Sequence, residues 1–170
     1  MFLLPVVLGA GVGLGYARGG RLARLADLPL RAPLVLVAGL GAQAVAGVAP
    51  GLWRPALVGL SYGVIGAWLL LRGLGAHRRL RLPAGLVLAG WALNAAAVLP
   101  NGGMPVPAGA PGPTGPGLLG KHIATGPSTA LPWFGDVLAA PPLGAVVSAG
   151  DLVLFAGLVL LVSRVMRGRA

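Results

Sequence analysis

Apolar residues along this chain gather into five runs, separated by short arginine-rich connectors and by one long segment before the last run. The runs cover residues 1–16, 33–49, 55–71, 83–99 and 147–163. Each holds about 17 residues, so a helix rising 1.5 Å per residue measures about 25 Å, the short end of what crosses a bilayer. The pattern predicts an all-α integral membrane bundle of about five transmembrane helices, folded as one membrane domain over residues 1–170.

The first run has the length of a signal-peptide core, but its positive charge follows the apolar stretch and begins at Arg18. A signal peptide carries its basic residues in front of that stretch. We therefore expect a retained helix that starts outside the membrane. Its glycines do not fit the GxGxxG fingerprint of dinucleotide-binding folds, and their spacing predicts close helix packing instead. They are Gly9, Gly11, Gly13 and Gly15.

The composition indicates that lipid, rather than water, surrounds this chain. Charged residues make up 9% of it and the mean hydropathy is +0.88, whereas a soluble domain carries about 25% charged residues. The chain has no cysteine, which excludes disulfides and thiolate metal sites. Its two histidines, His77 and His122, are too few for a histidine-rich metal centre. We therefore expect neither a metal nor a cofactor.

The basic residues are unevenly distributed along the chain. Thirteen basic and three acidic residues give a net charge of +10, which in a soluble protein would suggest nucleic acid binding. Eleven of the thirteen lie in alternate gaps and in the C-terminal tail: Arg18, Arg21, Arg24 and Arg31, then Arg72, Arg78, Arg79 and Arg81, then Arg164, Arg167 and Arg169. Basic connectors of this kind face the cytoplasm. The distribution predicts an outer N-terminus, a cytoplasmic C-terminus, membrane lipids as partners and no nucleic acid partner.

Residues 100–146 form the long connector, which this topology places outside the cytoplasmic membrane. The segment holds ten of the sixteen prolines and ten of the thirty glycines, but only two fixed charges. Disordered linkers are polar and charged, so we expect this loop to fold back against the bundle. Short helices are predicted over residues 117–125 and 129–138, with Trp133 at the membrane interface.

Two of the three acids, Asp136 and Asp151, lie on this outer side of the predicted bundle. The polar groups that accompany them are Asn101, Lys121, His122, Ser128, Thr129 and Ser148. Two further amides, Asn94 and Gln43, lie within predicted spans. Asn101 also starts the stretch NGGMPVP, a turn signal that ends the fourth span. We expect a candidate polar site at the outer ends of the last two spans.

Asp151 precedes most of the last apolar run, and two interpretations of it stay open. Ser148 followed three residues later by an acid is a capping-box pattern, in which each side chain bonds the backbone N–H of the other. This pattern explains Asp151 without any chemistry. If the helix instead begins near Leu143, Asp151 lies about 12 Å inside the membrane. An ionised group there costs about 3 kcal/mol and marks a functional site.

A sharper hypothesis pairs Asp151 with Asp136. Two carboxyls held close together share one proton at neutral pH and can activate water for peptide hydrolysis. Alternatively, Lys121 forms a salt bridge with one of the acids. Lys121 and His122 can also form a solvated or lipid-facing pair, or bind an anionic ligand or head group. His122 and the two acids are too few and too irregularly spaced to predict a metal site.

The chain also carries the short motifs GGRL after the first run, Gln43, NGGMPV, KH, TALPWFGD and VSAGD. Together they resemble an uncharacterised bacterial membrane family, domain of unknown function 5317, over nearly the whole chain. The resemblance implies a small multi-pass protein of the bacterial cytoplasmic (inner) membrane and brings no established activity. Carried over to this chain, the motif positions are Asn101, Met104, Pro105, His122, Asp136 and Asp151.

The last two acids also show a partial likeness to signal peptidase II, the aspartic peptidase that processes bacterial lipoproteins. In that family one aspartate lies in an outer loop and another heads the final span, and Asp136 and Asp151 match those positions in order and side. That family has an asparagine three residues before each aspartate, where this chain has Trp133 and Ser148. It also has four spans, against the five predicted for this chain.

Two functions are consistent with these residues. The first is ligand binding, transport or envelope organisation, for which the candidate binding residues are Asn101, Met104, Pro105, Lys121, His122, Thr129 and Ser148. The alternative is an intramembrane aspartic peptidase-like enzyme with Asp136 and Asp151 as catalytic residues. The enzyme requires the two carboxyls to lie within about 6 Å of each other.

Overall fold

The structure, a computed structural model, describes residues 3–27, 33–108, 110, 122–140 and 145–168. Within them the chain forms the helices α1 (Leu3–Ala17), α2 (Pro33–Ala46), α3 (Trp53–Leu74), α4 (Arg78–Asn101) and α5 (Ala149–Arg167). Two short 3₁₀ helices lie at Leu22–Asp27 and Pro132–Phe134. The fold is mostly helical, and each predicted apolar run corresponds to one of the five helices.

Three of the helices, α3, α4 and α5, are long and apolar enough to cross a membrane, by their length and composition. The other two are apolar but shorter, with 15 residues in α1 and 14 in α2. α2 ends at Ala46 rather than at residue 49, because Gly47 disfavours helix and the backbone turns at Gly51, where φ is 54°. The chain therefore combines three long apolar helices with two shorter ones.

The helices pack in the order α1, α5, α4, α3, α2. α4 and α5 contact each other most extensively, α1 packs on α5, α3 packs on α4 and α2 packs on α3. Glycine lets the central pair approach closely: a Cβ atom at Gly90 would lie 2.5 Å from the carbonyl oxygen of Gly150, and one at Gly157 would lie 2.7 Å from the nitrogen of Val87. Small residues at contacts of this kind are typical of helix packing in membranes.

The glycines of α1 divide between two faces of the helix. Gly11 and Gly15 face α5, and a Cβ atom at Gly11 would lie 2.9 Å from the Cβ of Val162. Gly9 and Gly13 have no other atom within 4 Å of such a position. The close packing predicted from glycine spacing is confirmed for Gly11 and Gly15, because residues four apart lie on the same side of a helix.

The start of α4 differs from the prediction. The predicted span begins at residue 83, whereas the helix begins at Arg78 and contains Pro83 in its interior. Proline lacks the N–H that would bond the carbonyl of Arg79. Arg164 of α5 supplies the missing donor, with its Nη1 2.6 Å from that carbonyl oxygen. A contact from another helix therefore replaces the hydrogen bond that Pro83 removes.

The connector between α4 and α5 contains two small β-pairs. β1 (Met104–Val106) pairs in parallel with β2 (His122–Ala124), and β3 (Leu138–Ala140) pairs antiparallel with β4 (Ala145–Val147). β1 and the second 3₁₀ helix pack against α4. The described part of the connector thus folds back on the bundle, as its apolar composition predicts.

The two short helices predicted in this connector are wrong over most of their length. Residues 122–124 form β2, and residues 117–121 lie outside the described residues. Of residues 129–138, the stretch Pro132–Phe134 forms one 3₁₀ turn and Leu138 begins β3. The buried backbone of β1 needs hydrogen-bond partners, and an extended neighbour supplies them. Pairing between segments distant in the chain leaves no local sequence pattern.

The bundle buries few side chains. A small apolar cluster joins α2, α3, α4 and β1 through Ala46, Val58, Ala97, Val98 and Met104. Many large apolar side chains are exposed, among them Leu34 at 78% and Leu71 at 68%. Such a surface is expected where lipid covers the helices. Trp53 and Trp133 are also exposed, and tryptophan is enriched at membrane interfaces.

Candidate functional site

A partly open cavity of about 390 Å³ lies at the end of the bundle where α1, α3 and α5 begin and α2 and α4 end. Its polar lining consists of Gln43, Arg54, Tyr62, Asn94, His122, Asp136 and Asp151. Apolar side chains from all five helices and from Met104 of β1 complete the wall. Small-molecule sites have volumes of roughly 300–1,000 Å³ and a similarly mixed lining. We refer to this site as the outer cavity, after the side of the membrane on which the sequence predicts these residues.

Ser148 and Asp151 form the capping box that their spacing predicts. The Asp151 N–H donates to Ser148 Oγ at 2.9 Å, and the Ser148 N–H donates to Asp151 Oδ2 at 3.3 Å. α5 therefore begins at Ala149, and the alternative start near Leu143 is wrong. The carboxylate also lies at the positive end of the helix dipole. Helix capping alone accounts for the position of Asp151.

Asn94 joins this cap to the neighbouring helix. Its Nδ2 donates to Asp151 Oδ1 at 2.7 Å, and its Oδ1 accepts from Ser148 Oγ at 2.8 Å. Asn94 and Ser148 are both buried, and Gly150 leaves room for the amide because it has no side chain. Each oxygen of Asp151 thus accepts a hydrogen bond, which holds the carboxylate at the cavity wall.

Asp136 reaches the outer cavity from the connector. Its N–H donates to the Pro105 carbonyl at 2.8 Å, and its Oδ2 lies 3.0 Å from Nε2 of His122. The residue is only 5% exposed, and none of the described residues bonds its Oδ1. A buried acceptor without a donor costs about 1–3 kcal/mol. Asp136 therefore has an acceptor position that the described part of the chain does not satisfy.

Three of the predicted binding residues shape the connector and do not line the outer cavity. Asn101 bonds the backbone of Ala130 twice, through Nδ2 to its carbonyl at 2.8 Å and through Oδ1 from its N–H at 2.9 Å. Thr129 Oγ1 accepts from the N–H of Gly126 at 2.8 Å and closes a turn. Pro105 is fully buried.

Four of the predicted site residues meet at the cavity wall: Met104, His122, Asp136 and Asp151. Ser148 is fully buried and contributes through its bonds to Asn94 and Asp151. Lys121 lies outside the described residues. The salt bridge and the anionic-ligand site predicted for Lys121 therefore stay predictions.

Several cavity residues were not predicted as site residues. Tyr62 and Trp91 stack with their ring centroids 4.6 Å apart, and Trp91 Nε1 donates to the Tyr62 carbonyl at 3.3 Å. Arg54, in the first turn of α3, also lines the cavity. Asn94 and Gln43 are visible in the sequence as amides within apolar runs, which is a signal of function or of pairing. The aromatic pair joins two helices, so no local pattern marks it.

The polar side chains of the outer cavity are hydrogen-bonding groups. Among the described residues, no group of three His, Asp or Glu side chains could hold a metal ion. The outer cavity presents two carboxylates, one guanidinium, two amides and an aromatic wall. Such a lining can bind a small molecule that has N–H or O–H donors at one end and an apolar part at the other.

Comparison with known proteins adds one finding to this geometry. A model of the family described as "Family of unknown function (DUF5317)" matches residues 27–163. The matched range contains all the polar residues of the outer cavity. No curated protein and no solved structure matches the chain.

Proposed function

The chain belongs to the family of unknown function DUF5317, and we propose that it is a multi-pass protein of the bacterial cytoplasmic membrane whose outer cavity binds a small polar ligand. Ligand binding is the step common to the roles that this site supports, which are transport and envelope organisation. The observation that carries the proposal is the buried Oδ1 of Asp136, which no described residue bonds.

The alternating directions of the helices support the proposed topology. The outer cavity is lined by the first turns of α1, α3 and α5 and by the last turns of α2 and α4. In the sequence, eleven of the thirteen basic residues belong to the α1–α2 connector, to the segment that joins α3 to α4, and to the end of α5 and the tail after it. Basic segments stay in the cytoplasm. An outer N-terminus, a cytoplasmic C-terminus and an outer position for the cavity follow from this rule.

Asp136 supports a ligand that carries a hydrogen-bond donor. His122 bonds its Oδ2, so a donor from outside the described residues is needed for Oδ1. That donor is a ligand, a water molecule or Lys121, the neighbour of His122 in the sequence. Lys121→Met removes the donor only if Lys121 supplies it, and the addition of ligands distinguishes a ligand from water.

The rest of the lining narrows the ligand class. The lining holds two carboxyl groups, those of Asp136 and Asp151, and one guanidinium, that of Arg54, so it favours a ligand that brings a positive charge or hydrogen-bond donors. Tyr62 and Trp91 provide a stacked aromatic wall, and aromatic faces attract ammonium groups. A small primary amine with a short apolar part matches both features.

Thermal unfolding of the purified full chain in detergent tests the proposal. Small amines, amino acids and their neutral alcohol or amide analogues are added in turn. A ligand at about 100 times its Kd stabilises the folded state by about 2.7 kcal/mol and raises the unfolding midpoint. We expect amines to raise the midpoint, and Asp136→Asn to remove this shift.

Two variants control the experiment. Asp27→Asn makes the same change at the acid of the first connector, and it should keep the shift. Lys121→Met should also keep it if the ligand is the donor for Asp136. The proposal is wrong if no compound raises the midpoint and Lys121→Met destabilises the protein as much as Asp136→Asn does.

One observation favours a second candidate, an aspartic peptidase-like enzyme. Asp136 from the connector and Asp151 from the start of the last helix line the same cavity, in the order and on the side of the aspartates of signal peptidase II. Such an enzyme needs both carboxyls for general acid–base chemistry. Cleavage of a membrane-embedded lipopeptide should then be lost in Asp136→Asn and in Asp151→Asn, with folding intact. Cleavage that survives either substitution rejects this candidate.

A further inference from the structure

A second cavity lies at the opposite end of the bundle, where α1 and α5 end and α4 begins. Its volume is about 530 Å³, and it is lined by Arg18, Gly19, Arg79, Arg164, Arg167 and Gly168. Arg164 lies thirteen positions after Asp151 in α5, which is about 20 Å along the helix axis. This arginine cavity is therefore a site distinct from the outer cavity.

The charge around the arginine cavity cannot be balanced from within the chain. The chain has three acids, and two of them, Asp136 and Asp151, line the outer cavity. Asp27 is the one acid left for the eleven basic residues of the connectors and tail. Clustered positive charge with low-dielectric walls concentrates anions. The anions that neutralise this end of the bundle must come from outside the protein.

Backbone contacts position two of the guanidinium groups. Arg164 Nη1 donates to the Arg79 carbonyl at 2.6 Å, and Arg79 Nη1 donates to the Gly168 carbonyl at 3.4 Å. A guanidinium carries five N–H donors in a planar fork, and these bonds to backbone carbonyls hold the two groups in place at the cavity. Arg79 is also the second residue of α4, where the N–H groups of the first turn and the helix dipole favour an anion.

We propose that the arginine cavity binds a phosphate-bearing anion, either the headgroup of an anionic phospholipid or a soluble phosphate ester. Arginine pairs with phosphate through parallel N–H···O bonds, which its fork geometry matches. The cavity volume lies within the range of ligand sites. Basic pockets between membrane helices on the cytoplasmic side bind anionic headgroups. This inference does not depend on what the outer cavity binds.

Reconstitution of the full chain in nanodiscs of defined composition distinguishes the two sources. One arm compares phosphatidylcholine alone with phosphatidylcholine that contains increasing phosphatidylglycerol. The other arm keeps phosphatidylcholine alone and compares sodium phosphate with sodium chloride at equal ionic strength. The thermal unfolding midpoint, followed through each titration, yields an apparent affinity. A rise with phosphatidylglycerol identifies a headgroup site, and a rise with phosphate identifies a soluble ligand.

Two arginine variants decide whether the cavity itself is responsible. Arg18→Gln removes one charge from the cavity without changing either backbone contact described above, and it should lower the apparent affinity about tenfold or more. Arg78→Gln removes the same charge from an exposed neighbour of Arg79 that does not line the cavity, and it should leave the affinity unchanged.

The proposal is overturned if neither anion raises the midpoint more than its reference does. It is also overturned if Arg78→Gln weakens binding as much as Arg18→Gln, because the attraction would then come from diffuse surface charge. The midpoint of each variant without added anion is measured first. If Arg18→Gln proves unfolded, Arg167→Gln takes its place, since Arg167 also lines the cavity.

Discussion

At the residue scale, Ser148 connects most of the buried polar groups at the start of α5. It accepts from the Asp151 N–H and donates to Asn94 Oδ1. Ser148→Ala would remove the helix cap and leave the Asn94 oxygen buried without its donor. Loss of a cap costs about 1 kcal/mol, and an unsatisfied buried acceptor costs about 1–3 kcal/mol. We expect Ser148→Ala to lower the free energy of unfolding in detergent by about 2–4 kcal/mol.

Ser163→Ala is the matched control for this prediction. Ser163 lies in the same helix and is also fully buried, but its hydroxyl donates to the Leu160 carbonyl one turn earlier. The helix backbone already bonds such a carbonyl, so we expect a loss of less than about 1 kcal/mol. Equal losses in the two variants would show that the contacts of Ser148 to Asn94 and Asp151 contribute nothing to stability.

Asn101 was predicted as a binding residue, and its contacts instead predict a role in holding the connector. Asn101→Ala removes both bonds to the Ala130 backbone. We expect amide hydrogen exchange at Ala130 to accelerate about tenfold or more. Thr129→Ala, which removes the acceptor for the Gly126 N–H, should leave exchange at Ala130 near its original rate. Unchanged exchange in Asn101→Ala would contradict this role.

The residue scale also shows which parts of the site the sequence reveals. The capping box is predictable because Ser148 and Asp151 are three residues apart and the pattern is local. The turn after the fourth span is also predictable from a local pattern, and Gly102, with φ of 67°, takes the left-handed conformation there. The bond from Asn94 to Asp151 is not predictable, because it joins residues of two helices. Asn94 is visible in the sequence only as an amide within an apolar run.

At the scale of elements, glycine determines how closely α4 and α5 approach. A Cβ atom at Gly90 would lie 2.5 Å from the nitrogen of Leu154, whereas Gly85 of the same helix has nothing within 4 Å. Gly90→Ala should therefore lower the free energy of unfolding by about 1–3 kcal/mol through overpacking. Gly85→Ala should raise it by up to about 1 kcal/mol, because alanine favours helix more than glycine does.

Thermal or denaturant unfolding of the two glycine variants in the same detergent measures this difference. The two variants should change the free energy of unfolding in opposite directions, although each adds one methyl group to α4. If Gly90→Ala were as stable as Gly85→Ala, the close contact between α4 and α5 would be absent in the folded protein. Helical circular dichroism of each variant confirms that the bundle is still formed.

Helices and their ends differ in how well the sequence predicts them. The five helices can be predicted from the apolar runs, because a helix bonds its own backbone N–H and C=O groups where lipid offers no hydrogen-bond partners. The start of α4 does not follow, since Arg164 compensates for Pro83 by bonding the Arg79 carbonyl. The sequence does not predict the strands β1 and β2 either, because their register pairs Pro105 with Ile123, which lies far along the chain.

At the scale of the whole molecule, two cavities of opposite chemistry lie at the two ends of one bundle. The outer cavity holds two of the three acids, and the arginine cavity holds four basic residues. The separation of the arginines from Asp136 and Asp151, at opposite ends of the bundle, was predicted from the sequence. The walls of both cavities were not, because each wall takes residues from helices that are far apart in the chain.

This separation of charge leads to a prediction about topology. The chain has no cysteine, so a single introduced cysteine is the only thiol that a maleimide can label. Ser128 and His77 are both exposed; Ser128 lies in the long connector and His77 lies between α3 and α4. In intact spheroplasts, a membrane-impermeant maleimide should label Ser128→Cys and leave His77→Cys unlabelled. Both should be labelled once the membrane is opened.

The labelling pattern bears on both cavities at once because they occupy opposite ends of the same helices. If His77→Cys were labelled in intact spheroplasts and Ser128→Cys were not, the arginine cavity would face outwards, against the positive-inside rule. The acids of the outer cavity would then face the cytoplasm, and a ligand would reach them from the cell interior. The predicted pattern instead places eleven basic residues beside the anionic cytoplasmic leaflet, where each gains about 1 kcal/mol near the surface. That gain favours one orientation of the bundle over its inverse, and with it the outward position of Asp136 and Asp151.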